Sequence, residues 1–311
     1  MKLDSIAIIG VGRLGGNLAQ ELIRFNIFSK IYLYNRSLSR LESMVLSLRV
    51  YASFVNSQTE IIIIDDLYIL DVGAVVIAIK ENYDPRTLLE TELLPSGLDH
   101  NVRTIGIKKD MPLLRDICDK LFNYTGKIII LTNPVDIFTV LVKRWIPNSD
   151  VYGFGVTLDS ARLAYSAQRH GFKCFAHECL LGGAHIGELV QLISLWNQHN
   201  PFLAQIELEL DNLLQITAKI GPAIVHGLGY TLHDCSAVFS KDIAWLVGKD
   251  TTRKYLCASV GNDSAATAWP LKYSKETSGF EIYDSLTENE LRQLDNSANQ
   301  VGDAVHVVDN M

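Results

Sequence analysis

The segment GFGVTLDSARLAYSAQ, residues 153–168, carries an acid and a base, Asp159 and Arg162, in an otherwise apolar helical pattern. Spaced three apart, they share one helix face. Such a pair is ordinarily a surface contact contributing about 0.3–0.5 kcal/mol. Three other segments give it a second use. His185 lies 26 residues beyond Asp159, in the glycine-rich turn of LLGGAHIGEL. An imidazole held by a carboxylate through one nitrogen presents the other to a substrate, the base-plus-orienter arrangement of proton transfer. IIILTNPVDIF ends an apolar run at Thr132, Asn133 and Pro134, and HGLGYTLHD places Thr231 after a glycine-rich bend.

A different chemistry sits at the start of the chain. IAIIGVGRLGGNL holds Gly10, Gly12 and Gly15 in GxGxxG spacing, with Arg13 and Leu14 between the last two glycines. After a strand and before a helix, the first glycine permits a tight turn and the second admits a pyrophosphate to the backbone. The third lets helix and strand pack closely, with the helix N-terminus facing the anion. A purely structural turn is the competing reading of the motif taken alone. At the end of the next apolar run, IYLYNRSLSR offers Asn35, Arg36 and Ser37 where an acid would accept hydrogen bonds from the ribose of NAD. A neutral side chain beside a guanidinium suits a 2′-phosphate, so NADP is the preferred cofactor, with NAD the second choice. In the plainer reading, Arg36 and Arg40 decorate a solvated helix start.

These residues need a scaffold. SIAIIG, KIYLYN, GAVVIAI and KIIILTNP are short apolar runs alternating with amphipathic stretches such as GNLAQELIRF and MPLLRDICDKLF. Continuous Ile/Val/Leu strands spaced by helices imply a parallel sheet covered on both faces. Asn133 then falls at the carboxyl edge of such a sheet, where ligands bind. The expected fold is α/β, a Rossmann-type doubly wound domain over 1–148 followed by a mixed α+β substrate domain over 149–311. The turn-forming Pro147, Asn148 and Ser149 mark the boundary. Beyond it the pattern predicts helices at LDSARLAYSAQRHG, GELVQLISLWNQH and FLAQIELELDNLLQITAKIGPAIVHGLG. A strand-like stretch near 253–285 and a terminal helix in LTENELRQLDNSANQVGDAV follow.

Composition narrows the partners. The 311 residues carry 48% hydrophobic and 20% charged side chains and a net charge of −7, with the acids scattered and no basic stripe. This is a globular composition that argues against nucleic acid. No apolar run approaches the ~20 residues that span a bilayer, and MKLDSIAIIG lacks the apolar core of a signal peptide. The five cysteines form no CxxC pair. A cytoplasmic protein without a disulfide framework or structural metal is expected. Cys174 and Cys179 read as core, and the remaining histidines show no ligand spacing.

Segment order and motifs together resemble the lactate/malate dehydrogenase superfamily over nearly the whole chain: GxGxxG, NPVD, LDSAR, a glycine-flanked histidine, GYT and the terminal LTENELRQLDNSA. The resemblance implies an NAD(P)-dependent 2-hydroxyacid dehydrogenase acting on a CH–OH group, with a small 2-oxo or 2-hydroxy acid as its partner and a homodimeric or homotetrameric assembly. It also assigns roles. Arg162 clamps the substrate carboxylate, Asp159 orients His185, and His185 exchanges the proton. Asn133 holds the nicotinamide ribose or the carbonyl region, and Thr231 lines the substrate pocket.

The pattern breaks after GAVVIAI, where KENYDPRTLLETELLPSGLDHNVRTIGIKKD replaces the family's glycine-containing turn and arginine-bearing loop. Lys80 stands in place of the glycine. Arg86 is the better candidate for polarising the carbonyl and Arg103 the other, which points to a non-standard substrate. The cofactor half is also similar to NADP-dependent reductases such as pyrroline-5-carboxylate reductase. An imine reductase and a catalytically inactive cofactor-binding regulatory protein are therefore the alternatives.

Overall fold

Strand β1 (Ser5–Ile9) alternates its side chains between two apolar layers, which is why it sits at the centre of the sheet. Ile6 and Ile8 enter one buried cluster, Ala7 and Ile9 the other. The computed structural model describes the chain except for residues 1–3, 69, 176, 200–208, 231–232, 275–278 and 284, and except for the side chains of 197–199. Around β1 lie α1 (Arg13–Arg24), β2 (Lys30–Tyr34), α2 (Leu38–Phe54), β3 (Glu60–Ile63), β4 (Ala74–Ile77), α3 (Pro85–Thr91), α4 (Ile107–Lys120), β5 (Lys127–Ile130), α5 (Val135–Trp145) and β6 (Asp150–Gly153). The parallel order is β3-β2-β1-β4-β5-β6. The chain thus winds outward from β1 to β3 and then returns to β4 on the other side of β1. This reversal opens a crevice at the carboxyl ends of β1 and β4, the general ligand position of doubly wound sheets.

The second half comprises α6 (Val156–Arg169), β7 (Leu181–Gly183), β8 (Leu189–Gln191), α7 (Ile193–His199), α8 (Leu210–Leu228), α9 (His233–Leu246), β9 (Tyr255–Gly261), β10 (Ala266–Ser274), β11 (Gly279–Ile282) and α10 (Glu288–Asp309). Its strands are antiparallel and extend the first sheet, β9 pairing with β6 through Ser259 and Gly153. The doubly wound parallel sheet with a mixed α+β second part is the architecture expected.

The strand β6 follows residue 148 and pairs in parallel with β5 in register Lys127↔Asp150. One local reading changes. GELVQ does not open a helix. Leu189–Gln191 form β8, hydrogen-bonded to β7 in a hairpin, and the helix begins only at Ile193. Leu192, Leu195 and Trp196, apolar enough to suggest a subunit contact, are buried in the core of the second half together with Cys174 and Cys179. Part of the predicted FLAQIELEL helix lies outside the described residues; the remainder is α8. Among the described residues no helix is long and apolar enough to cross a membrane.

Candidate active site

The glycine turn follows β1 directly. Gly10 has φ +93°, and a Cβ there would lie 2.5 Å from the carbonyl oxygen of Ala78 after β4. A Cβ on Gly15 would collide with the Gly10 oxygen, which is the close helix–strand approach the motif anticipates. Gly12 differs: a Cβ would meet nothing within 4 Å. Its bareness leaves space beside the backbone. Gly12 caps α1 without a side-chain hydrogen bond, and no acid stands in the first turn. The orphan N–H groups and the positive end of the helix dipole therefore face this space, which fits a diphosphate. From here a cleft of about 1520 Å³ runs along the strand ends, from Gly12 and Asn35 past Asn133 to Arg162 and His185. It exceeds the about 300–1,000 Å³ of ordinary small-ligand pockets, as a dinucleotide together with a substrate requires.

At the cofactor end, the Asn35 side chain donates to the Val11 carbonyl at 3.3 Å and accepts from the Ser37 N–H at 3.3 Å, closing the turn after β2. Arg36 is not free: Nη2 donates to Glu81 Oε2 at 2.8 Å and Nη1 donates to Oε1. Glu81 is fixed in turn by Asp110 of α4, which accepts from the Glu81 N–H at 2.6 Å and from the Tyr83 hydroxyl at 2.5 Å. Burial pushes the Asp110 carboxyl up to about 6. Lys80, in the position of the missing glycine, lies with Nζ 4.4 Å from the centre of the Tyr83 ring. Tyr230, from the end of α8, receives Arg13 over its ring at 4.1 Å and so bridges the two halves across the cleft.

The proton-transfer end is built from three elements. α6 begins after Gly155 and carries Asp159 in its first turn and Arg162 one turn on, both buried. His185 lies in the turn of the β7–β8 hairpin, whose Gly183 has φ +88°. The hairpin is anchored twice: the Leu181 N–H donates to Ser160 Oγ at 3.0 Å, and the Ile186 N–H to Asp136 Oδ2 at 3.1 Å. His185 Nδ1 then stands 2.6 Å from Asp159 Oδ2. A Cβ on Gly155 would lie 2.6 Å from His185 Cγ, so the imidazole packs on bare backbone at the helix start. The third element is the long segment between β4 and α4. Its Arg103 donates through Nη2 to Asp159 Oδ1 at 3.0 Å and through Nη1 to the His185 carbonyl.

These contacts set the charges. Burial opposes ionisation of Asp159, but His185, Arg103 and Arg162 outweigh it and hold the carboxyl below its ordinary value. Asp159 is therefore the acceptor and His185 Nδ1 carries the proton, which leaves Nε2 unprotonated in a residue that lines the cleft. Burial pushes His185 below the ordinary histidine value, and the Arg103 charge acts in the same direction; Asp159 only partly offsets them. Replacing Arg103 with Gln removes one charge opposed to the imidazolium and leaves Asp159 less engaged. Both effects raise the pKa of His185. An NMR titration of the ring is expected to move to higher pH in the variant, and an unmoved curve would remove Arg103 from the electrostatics of the pair.

The structure brings together Asp159, Arg162 and His185. Of the two loop arginines it brings Arg103 rather than Arg86. Arg86 donates to Asp84, the N-cap of α3, at 2.6 Å through Nη2, and to the His226 carbonyl at 3.3 Å through Nη1. Asn133, joined to Pro134 by a cis peptide bond, lines the cleft beyond β5. Beneath it, Thr132 Oγ1 accepts from the Ile79 N–H at 2.9 Å and fastens the ends of β4 and β5 together. Thr231 lies outside the described residues. One contact had no expectation attached. Asp234 in the first turn of α9 accepts from Arg162 Nη2 at 2.8 Å and Nε at 3.3 Å. An acid in a first helical turn reads as a dipole partner, and its approach across 72 residues leaves no mark in the sequence. Among the described residues, no group of three or more His, Cys, Asp or Glu could hold a metal ion.

No protein-family model matches the chain. It is 26% identical to a malate dehydrogenase of Aliarcobacter butzleri (strain RM4018), an alignment covering 100% of this chain and 99% of that protein. Its fold is similar to MGS-M5, a lactate dehydrogenase from a Medee basin deep-sea metagenome library, with TM-score 0.80 at 18% identity over 99% of both chains. It is also similar to the Cryptosporidium parvum lactate dehydrogenase complexed with lactic acid and nicotinamide adenine dinucleotide. There the TM-score is 0.76 at 20% identity, over 99% of this chain and 98% of that one.

Proposed function

We propose that this chain, similar over its whole length to a malate dehydrogenase and in fold to lactate dehydrogenases, is a member of the lactate/malate dehydrogenase superfamily that interconverts a 2-oxo acid and a 2-hydroxy acid with a nicotinamide cofactor. The observation that carries the reading is His185 Nδ1 held 2.6 Å from the buried Asp159, at the inner end of a cleft that begins at the glycine turn. When bound, the cofactor supplies or accepts the hydride. The chain does the rest. Gly10, Gly12, Arg13, Leu14 and Gly15 cradle the diphosphate, and Asn133 holds the nicotinamide ribose or the carbonyl region. Arg162 binds the substrate carboxylate through a planar fork that Lys does not possess. His185 Nε2 gives a proton to the carbonyl oxygen during reduction and takes it back during oxidation, while Asp159 keeps the ring in the tautomer that allows both. Arg103 positions this pair. Thr231 and Arg86 remain candidates for the pocket wall. A non-catalytic cofactor-binding descendant would have no use for Asp159, Arg162 and His185 in this register. Assembly as a homodimer or homotetramer belongs to the same reading, and the odd number of cysteines, all buried, suits a reducing cytoplasm.

The test is oxidation of NADH and NADPH, followed optically against 2-oxo acids of differing size and charge. Turnover of at least one is expected; cofactor binding with turnover of none would end the dehydrogenase reading. We infer NADP as the cofactor that Asn35, Arg36 and Ser37 favour, with Glu81 limiting the preference because it occupies both ends of the Arg36 fork. Glu81→Gln is expected to raise the ratio of kcat/KM with NADPH to that with NADH by about tenfold, or about 1.4 kcal/mol. A ratio that does not move would separate Arg36 from phosphate recognition.

A further inference from the structure

The group proposed to receive the substrate carboxylate already holds one. Arg162 is 6% exposed, and its Nε and Nη2 both donate to Asp234 Oδ2, at 3.3 and 2.8 Å. On its other side Nη1 lies 3.8 Å from Asp159 Oδ1. The backbone of α8 closes over it, since a Cβ on Gly221 would stand 2.7 Å from Nη1. A guanidinium has five N–H donors in a fixed plane. Asp234 takes the side-on pair and leaves the end-on pair, one N–H on each of Nη1 and Nη2, for a second carboxylate.

The three arginines at this end of the cleft are therefore each engaged by a carboxylate before any substrate arrives. Arg162 is matched by Asp234, Arg103 by Asp159 and Arg86 by Asp84. A simple anionic 2-oxo acid on the free edge of Arg162 would put its carboxylate beside that of Asp234 with one guanidinium between two negative charges. Like charges brought together in a partly desolvated site are strongly disfavoured. A substrate carrying its own positive charge removes the conflict: its carboxylate takes the end-on edge of Arg162 and its cation faces Asp234.

Resting on the dehydrogenase reading above, we propose that the substrate is a zwitterionic 2-oxo acid, with one carboxylate and one ammonium-type group, and that Asp234 is the residue that selects it. The reaction is unchanged in its balance. A hydride and a proton add across the ketone, and the cationic group takes no part.

The experiment compares three 2-oxo acids of equal chain length ending in a methyl, a carboxylate or a trimethylammonium group, the last chosen because it does not cyclise onto the ketone. Wild-type kcat/KM is expected to favour the cationic compound by about tenfold or more over the methyl compound, with the dicarboxylate poorest. Asp234→Asn is expected to reverse that order, and Asp234→Glu to keep it; cofactor affinity, measured by nicotinamide fluorescence, reports on folding in both. Turnover of the panel with the methyl compound or dicarboxylate preferred, or a preference unmoved in Asp234→Asn, overturns the assignment of Asp234 while leaving the dehydrogenase reading intact. Turnover of none of the three together with turnover of an uncharged ketone overturns both.

Discussion

Replacing His185 with Asn is expected to lower kcat by about 10³-fold, the middle of the range for removing a positioned acid–base group, while leaving the cofactor dissociation constant unchanged. The separation follows from the geometry. His185 stands in the β7–β8 turn at the inner end of the cleft, and the glycine turn after β1 lies at the other end with its own packing against Ala78 and α1. Asn fills part of the imidazole volume and accepts or donates one hydrogen bond, but it has no group that titrates in the working pH range. The pH profile gives the second readout. Reduction uses the imidazolium, so its rate falls as pH rises through a pKa that burial and Arg103 hold below the ordinary histidine value. Oxidation uses the neutral ring and rises through the same point. Both limbs are expected to vanish in the variant. A rise in KM with kcat and the limbs preserved would make His185 a binding group and not the proton carrier.

Legibility in the sequence tracked how local each feature is. GxGxxG, its strand and its helix occupy one continuous stretch, and every close contact that explains Gly10 and Gly15 is made within it or with the neighbouring β4. The alternation of β1 and the continuous apolar run of β4 fixed a central, doubly covered sheet for the same reason. Asp159 and His185 were legible as a pair because their residue types are rare in apolar surroundings and demand partners. β8 is hidden in the sequence because five residues, GELVQ, fit either period, and its pairing with β7 across the His185 turn outweighs the helical pattern that continues into Ile193–His199. On paper Arg86 ranks ahead of Arg103, and the structure reverses the order. Their separation comes from α3, where Asp84 caps the helix and captures Arg86 two residues away, while Arg103 spans 56 residues to reach Asp159. Glu81 on Arg36 and Asp234 on Arg162 are contacts of the same long-range kind, 45 and 72 residues apart. They change what each arginine has left to offer, which no motif around the arginine records.

The second large effect is expected from Asp159→Asn, a change of one heavy atom at the point where two guanidinium groups and an imidazole converge. Asp159 is 3% exposed and meets His185 Nδ1 at 2.6 Å, Arg103 Nη2 at 3.0 Å and Arg162 Nη1 at 3.8 Å. An amide keeps one acceptor and gains an NH₂. Whichever way it is turned, a donor faces either the Nδ1 proton of His185 or the guanidinium of Arg103. Arg103 loses its counter-charge either way; if the oxygen goes to Arg103, the imidazole moves its proton to Nε2 and no longer accepts one from substrate, and if it goes to His185, the amide NH₂ faces the guanidinium. Activity is expected to fall by about 10³-fold or more in the oxidation direction, the scale seen when a base is held in the wrong tautomer. Stability falls as well. Breaking a buried ion pair costs about 3–5 kcal/mol, and the lower end applies because Arg162 retains Asp234 and Arg103 is 22% exposed. The double variant Arg103→Gln/Asp159→Asn separates the two consequences. Removing the stranded guanidinium is expected to restore part of the lost Tm while leaving turnover as low as in the single variant, because the amide still does not hold the imidazolium. Recovery of turnover together with Tm would mean that Asp159 serves this site by neutralising Arg103 and not by orienting His185.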